Sequence, residues 1–594
     1  MIRTPLRPLA RILQARDKGE NPDAIERENL RLRHEQMRDK MRTRAEMRLI
    51  VMGMVFFCGF ILVGSRMALL ASTEPAEPTT TVAGSQIVAQ RADIVDRRGR
   101  ILATNIETHA LYAQPQQMVD PLRVAKELKA IFPDVDEDRL VKDFTGKRKF
   151  VWVRKTLSPE QMQAVHDIGD PGLLFGPRET RLYPNGRIAS HVLGGSSFGR
   201  EGVHAAEVIG VAGVEKTFDS WLRDPANGGS PLQLSLDLTV QATIERVLAG
   251  GMGIMNAKGA AAVLMDAKTG ELISLVSLPD FDPNNRPSPL VKGKDPSASP
   301  LFNRALQGVY ELGSTFKIFA AAQALELGLV NSETMIDTKG PMKWGRFTIR
   351  DFHNYGPQLS VTNVIVESSN IGTARLAMMI GGDRQQAFLK SLGLLDVPPV
   401  EMVEASGAKP LTPAKWSELS SMTISYGHGL SVSPVHLAAA YASVVNGGTR
   451  IRPTLIKQNG PQNGERVLSE RVSAEARMML RKVVTEGTAS FGDVPGYAVG
   501  GKTGTADKPK PTGGYYDDRV IATFASTFPA HDPKYILIVT LDEPEDRMGS
   551  EPRRTAGWTA VPVAAELIRR VAPLLGLRPE IEPLALGDVT VTNN

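Results

Sequence analysis

Residues 496–506 read GYAVGGKTGTA, and the fold turns on what Lys502, Thr503 and Gly504 are doing there. Gly496, Gly501, Lys502 and Thr503 satisfy G-x-x-x-x-G-K-[ST], a loop whose backbone N–H groups cradle nucleotide phosphates while its hydroxyl holds magnesium. Lys502, Thr503 and Gly504 also spell the K-T-G of serine acyl-transfer sites. A phosphate loop requires a buried strand before its first glycine and a helix beginning at Lys-Thr, because the helix N-terminus supplies dipole and amides. GTASFGDVP precedes Gly496, and Gly504, Pro509, Pro511, Gly513 and Gly514 follow Thr503, a composition that carries no helix. The nucleotide reading fails on both sides, and Lys502–Thr505 is expected on a strand edge.

Acyl transfer demands two further elements upstream. YELGSTFKIFAAAQALELG contains Ser314 and Lys317. Gly313 breaks the chain just before a strongly helical run, so Ser314 falls in the first turn with Lys317 three residues on, on the same face. A serine hydroxyl is a poor nucleophile until a base takes its proton, and lysine is such a base only when desolvation or a neighbouring cation lowers its pKa. Lys317, between Phe316 and Ile318-Phe319, is expected to be at least partly buried. The helix N-terminus offers the Ser314 N–H to a developing oxyanion. VIVESSNIGTARLAMMIGG supplies Ser368, Ser369 and Asn370 as S-x-N, in which Ser368 is placed to relay a proton and Asn370 to hold Lys317 and a substrate amide. Taken alone, S-S-N is equally a turn or a helix cap. A second K-T-G, Lys268 to Gly270, lies between two apolar runs and reads as a hairpin turn.

The run LIVMGMVFFCGFILVGS, Leu49 to Ser65, continues past Arg66 into MALLA. About 22 apolar residues, with Arg66 snorkelling, span a hydrocarbon core of about 30 Å. The segment before it is too long for the n-region of a cleaved signal, so it reads as an uncleaved anchor. Arg27, Arg31, Arg33, Arg38, Lys40, Arg42, Arg44 and Arg48 precede it and STEPAEPTTTVAGS follows, which places the N-terminus in the cytoplasm and some five hundred residues outside. ATP is not supplied there, a second objection to a nucleotide site. Residues 24–47 read as a polar helix.

The chain has 594 residues, Lys+Arg 70 against Asp+Glu 65, and 42% hydrophobic content, enough for several globular domains. The single cysteine, Cys58, excludes an internal disulfide and a cysteine-based zinc site. The charge surplus is only five and gathers before the membrane, so nucleic acid is not an expected partner. After a Pro/Thr/Ala/Gly-rich tether (Ser72 to about Gln86), RADIVDRRGRILATN reads as a hairpin turning at Gly99. Helical and apolar stretches then alternate to GVAGVEKTFDSWLRD without catalytic spacing, as in a scaffold. PLQLSLDLTVQATIERVLAGG, a strand running into an amphipathic helix, opens a second module.

These motifs together identify a resemblance. The chain is similar to class B penicillin-binding proteins, membrane-anchored D,D-transpeptidases of peptidoglycan synthesis, from the anchor to about Ile568. RADIVDRRGRILA, RLYPNGRIASHVLG, GVEKTFDSWL, NRALQGVYELGSTFK, ESSNIGTARLA, SYGHGLSVSPVHLAAAYA, GGKTGTA and AGWTAVPVAAEL carry it, and FASTFPAHDPKYILIVTLDEP resembles the septal type. Leu312 departs from the family's usual Pro, which is expected to loosen the approach to Ser314. The segment 196–212 has no assigned role.

The resemblance implies an α/β chain. Its parts would be a cytoplasmic tail 1–48, an anchor 49–71, an α+β periplasmic pedestal 72–230, a transpeptidase domain 231–575 built on an antiparallel sheet flanked by helices, and a tail 576–594. It implies that Ser314 attacks the penultimate D-Ala carbonyl of a stem peptide, with Lys317 as base and Ser368 as proton shuttle. The N–H groups of Ser314 and Thr505 would form the oxyanion hole. Lys502, Thr503, Gly504 and Thr505 would bind the terminal carboxylate. No metal or cofactor is needed; β-lactams, a septal glycan polymerase and other division proteins are the expected partners. An elongation-type transpeptidase, a D,D-carboxypeptidase and a catalytically idle scaffold remain as alternatives.

Overall fold

The computed structural model describes residues 7–72, 91–201, 206–290, 295–510 and 512–580. The tether lies almost wholly outside them, as do the C-terminal tail from residue 581 and residues 202–205 of the unassigned segment.

The polar stretch and the anchor form one helix, Pro22–Ser72. No proline interrupts the chain after Pro22, so the helix runs on for 51 residues, about 77 Å. Among the described residues it is the one helix long and apolar enough to cross a membrane, which gives a single-pass chain. Cys58 is exposed on it.

Residues 91–233 build on the long strand Ile101–Ala113, which pairs antiparallel with Ile94–Val95, Val151–Leu157 and Leu173–Leu182. The expected turn is present: Asp96 N donates to Arg100 O, and Gly99 takes φ +83°. Helices Pro121–Ile131, Glu137–Phe144 and Pro159–Asp167 cover one end, burying Leu111, Val124, Leu128 and Phe132. The GVEKTF segment has a structural task. Glu215, fully buried, accepts from Arg91 Nε and Arg181 Nε, each at 2.7 Å. Breaking such a pair costs about 3–5 kcal/mol, because a buried charge is left uncompensated. The unassigned segment forms an antiparallel hairpin, Gly195–Glu201 with Ala206–Ala212, whose Phe198 ring lies under the Arg178 guanidinium at 4.4 Å.

The second module opens with only two residues of strand, Leu232–Gln233, and these join the first module's sheet beside Ile94–Val95. Asp237 then caps the helix Leu238–Ile254. The main sheet is antiparallel throughout, in the order Gly500–Pro509, Tyr515–Phe528, Tyr535–Asp542, Gly259–Asp266, Leu272–Leu278. Helices Leu238–Ile254 and Ala560–Leu574 pack on one face, Pro434–Val445 and Glu470–Thr485 on the other. Lys268 to Gly270 is the turn between Gly259–Asp266 and the far edge strand Leu272–Leu278: Asp266 Oδ1 accepts from Lys268 N and Thr269 N, and Gly270 takes φ +72°. Lys502 lies on the edge strand with no helix following it, which removes the phosphate loop. Helix Lys317–Glu326 is buried from Lys317 through Leu325, as expected of a helix apolar on every side.

Candidate active site

Three segments meet beside the edge strand. Ser314 lies in a 3₁₀ turn, Gly313–Phe316, that feeds directly into helix Lys317–Glu326. Gly313 has φ +55°, and a Cβ there would stand 2.8 Å from Thr505 O. A Cβ on Gly504 would stand 2.1 Å from Leu312 O. Glycine at both positions is what lets the strand lie against the Ser314 turn. Leu312 does not loosen this approach: it is fully buried, and its carbonyl accepts from Thr315 Oγ1 at 2.9 Å. Ser314 itself is half-buried, and among the described residues its hydroxyl has no hydrogen-bond partner.

Lys317 and Lys502 are fully buried and converge on one hydroxyl. Ser368 Oγ lies 3.1 Å from Lys317 Nζ and 2.9 Å from Lys502 Nζ, and Lys317 Nζ also donates to Ser368 O. Burial pushes Lys317 well below the usual lysine range, and the Lys502 charge adds to the effect against the opposing pull of Asp351. Burial alone brings Lys502 down to about 7. Two ammonium groups sharing one acceptor repel, so the arrangement favours one neutral amine and one cation joined through a hydroxyl that can both accept and donate. Ser368 holds φ +63°, a conformation costing on the order of 1–3 kcal/mol that clusters at functional sites. Lys317 is turned toward Ser368 rather than Ser314; catalytic hydrogen bonds are commonly long before substrate binds.

Other expected contacts differ. Asn370 Nδ2 donates to Arg350 O at 2.9 Å, and among the described residues Lys317 Nζ donates to Ser368 and not to Asn370 Oδ1. Thr503 Oγ1 meets Thr488 Oγ1 at 2.7 Å, and Thr505 Oγ1 accepts from Ala556 N at 3.0 Å. Thr503 and Thr505, two apart on a strand, share a face. Lys502 Nζ donates to the Thr503 carbonyl at 3.2 Å.

The residue that sequence reading passed over is Asp351. Its Oδ1 accepts from Asn370 N (2.6 Å) and Ile371 N (3.0 Å), and its Oδ2 from Ser369 Oγ (2.7 Å), while Ser369 Oγ caps Gly372 N. One carboxylate thereby fixes the start of helix Asn370–Ile380 and the strained Ser368 before it. Nothing in RDFHNYG marks it, since the segment has no periodicity and lies nineteen residues from the groups it holds. Asp351→Asn keeps the shape but exchanges an acceptor for a donor at a helix N-terminus, and is expected to slow β-lactam acylation about tenfold with the fold retained; the second-order acylation rate checks this.

The groups that meet here, a serine at a helix start, two buried lysines on a second serine hydroxyl, and two threonines on the adjacent edge strand, are of the types that serine acyl transfer requires. Comparison with known proteins agrees. The penicillin-binding protein transpeptidase domain model matches residues 260–568, and the penicillin-binding protein dimerisation domain model matches 86–230. The chain belongs to the penicillin-binding protein transpeptidases. It is 37% identical over 510 residues to the probable peptidoglycan D,D-transpeptidase FtsI of Caulobacter vibrioides, covering 84% of this chain and 83% of that one. It is 27% identical over 533 residues to the peptidoglycan D,D-transpeptidase FtsI of Escherichia coli, covering 85% and 86%. Among solved structures it is similar to penicillin-binding protein 3 of Mycobacterium tuberculosis complexed with aztreonam, with a TM-score of 0.61, 25% identity, and coverage of 83% of this chain and 98% of that one. A penicillin-binding transpeptidase of the FtsI kind accounts for both modules and for the membrane helix.

Proposed function

We propose that this chain is a septal peptidoglycan D,D-transpeptidase working through a Ser314 acyl-enzyme. The observation that carries the reading is the pair of buried lysines on Ser368 Oγ, beside a half-buried serine that has no hydrogen-bond partner among the described residues. Neutral Lys317 takes the Ser314 proton as Oγ bonds to the penultimate D-Ala carbonyl carbon. The N–H groups of Ser314 and Thr505 hold the oxyanion, and Asn370 meets the substrate amide. The bond to the terminal D-Ala nitrogen then breaks, with Ser368 passing the proton to the leaving amine. An acceptor amine gives a proton back to the base, attacks the ester carbonyl and frees Ser314, which leaves an amide cross-link. Thr503 and Thr505 donate to the terminal carboxylate beside Gly504, and Lys502 supplies the positive charge behind them. A β-lactam stands in for D-Ala-D-Ala and stops at the ester.

The arginine-rich N-terminal stretch supports a cytoplasmic N-terminus, an inner-membrane anchor and a periplasmic site. The FtsI-named relatives and the FASTFPAHDPKY segment support work at the septum beside a glycan polymerase and other division proteins. The test supplies the full-length protein in detergent with a stem pentapeptide ending in D-Ala-D-Ala and an amine acceptor. One D-alanine released per cross-linked product is expected. Release without cross-link at saturating acceptor would make it a carboxypeptidase. Neither release nor a penicillin adduct would leave an idle scaffold.

A further inference from the structure

The hairpin Met342–Trp344 with Phe347–Ile349 leads straight into residues 350–357, the loop that carries Asp351. Met342 and Ile349 are buried with Ile371 and Ala374, which seats the hairpin on helix Asn370–Ile380. The loop is held at both ends. At its start Arg350 O accepts from Asn370 Nδ2, and Asp351 Oδ1 accepts from Asn370 N and Ile371 N. At its far end Pro357 O accepts from Thr338 N and Gly356 O from Thr338 Oγ1, each at 3.0 Å. Gly356, at φ +89°, donates to Asn354 Oδ1 at 3.1 Å. The four residues between these anchors are Phe352, His353, Asn354 and Tyr355. Phe352 is 82% exposed, and His353 and Asn354 are exposed beside it. The Phe352 and His353 rings stand edge to face at 4.8 Å, and the His353 and Tyr355 rings at 6.0 Å.

A phenylalanine left in water on a loop fixed this firmly forfeits the free energy of burial, and exposure of that kind marks a surface that a ligand covers. Chemistry selects the ligand. None of the four residues is a carboxylate, a lysine or an arginine, so a charged partner finds nothing here to pair with. The face of an aromatic ring carries negative potential, and the flat side of a pyranose presents C–H bonds whose hydrogens are the positive end. Asn354 Nδ2, without a partner among the described residues, and the His353 ring nitrogens supply hydrogen-bonding groups beside the rings for hydroxyl and acetamido groups. Distance agrees. Asp351 Oδ1 lies 2.6 Å from Asn370 N and Phe352 is the next residue, so its Cα stands within about 10 Å of the Asn370 backbone. In peptidoglycan the stem peptide hangs from a glycan strand, and its first three or four residues span about 10–14 Å when extended. A stem reacting in the cleft has the length to set its sugars on this rim.

We propose that Phe352, His353 and Tyr355 form a subsite for the N-acetylated sugar rings of the glycan strand that carries a stem peptide into the cleft. The proposal rests on the acyl-enzyme reading for the position of the stem at Asn370. Sugars seated on the rings hold the stem near its reacting position, so a stem still attached to its strand has less freedom to lose than a free peptide.

The test titrates a neutral, peptide-free hexamer of N-acetylglucosamine onto immobilised full-length protein in detergent, and labels each protein separately with benzylpenicillin. Wild type is expected to bind the hexamer. Phe352→Ala and Phe352→Leu are expected to weaken that binding about tenfold, and Phe352→Trp to hold it within about threefold, because stacking needs a ring face and not merely apolar cover. No hexamer bound by wild type, or equal binding by wild type and either Phe352→Ala or Phe352→Leu, overturns the sugar subsite whether or not penicillin labels Ser314. Hexamer binding that follows the expected order, with no penicillin label on Ser314, supports the subsite and overturns the acyl-enzyme reading instead.

Discussion

Full-length Ser314→Ala, incubated with a fluorescent penicillin, carries no covalent label, and its melting temperature stays within about 2 °C of wild type. Both halves follow from the surroundings of the hydroxyl. Among the described residues Ser314 Oγ has no hydrogen-bond partner and is half-buried, so its removal orphans no neighbour and opens no sizeable cavity. Among the described residues the hydroxyls of the same and the adjoining segment are engaged. Thr315 is buried and donates to Leu312 O, Ser368 is held between two lysines, and Ser369 is committed to Asp351 and Gly372 N. Mass spectrometry of the wild-type adduct should place it on the peptide containing Ser314. Label persisting on the variant at wild-type stoichiometry would remove Ser314 from the site and shift attention to another serine.

Local signals were legible where backbone geometry demands a particular residue type. Gly313 at positive φ before an apolar helix, Gly99 and Gly270 in turns, and the glycine- and proline-rich run after Thr503 each point to one conformation. The site's order was legible too, because Ser314, Ser368 and Lys502 each sit at a defined start: a helix, a turn and an edge strand. What escaped was contact between distant segments. No spacing rule connects Asp351 to Ser369, Thr488 to Thr503, or Ala556 to Thr505, since each pair meets only through the packing of separate elements. The same holds for Asn370, whose expected reach to Lys317 gives way to Arg350 O because the capped helix start turns it outward. The strand Leu232–Gln233 is only two residues long although alternation continues through Leu236, because the chain leaves the sheet to enter a helix capped by Asp237.

The buried lysines make a prediction in which stability and activity move in opposite directions. Lys502 titrates at about 7 in the folded protein because burial penalises its charge, against an ordinary value of 10.5. Below about pH 7 it is charged in both states, and the full penalty weighs on the fold. Between about 7 and 10.5 the unfolded chain binds the proton and the folded one does not, so stability rises with pH across that window. Lys502→Met removes the charge and its own share of the slope, leaving that of Lys317. It is expected to melt higher than wild type at pH 7, by a free energy on the order of a few kcal/mol, with the advantage shrinking toward pH 10. Its β-lactam acylation should fall by about 10²–10³-fold, since Thr503 and Thr505 alone would hold the ligand carboxylate without the charge behind them. Wild-type acylation should pass through a maximum. It rises as Lys317, held well below 10.5, loses its proton, and falls as Lys502 is neutralised from about pH 7 upward; a bound carboxylate moves that falling limb to higher pH. Thermal melts of both proteins at pH 7 and pH 9.5, read beside their acylation rates, decide the matter: a Lys502→Met protein that melts lower than wild type at pH 7 would show the lysine to be a structural support, not a charge held at the fold's expense.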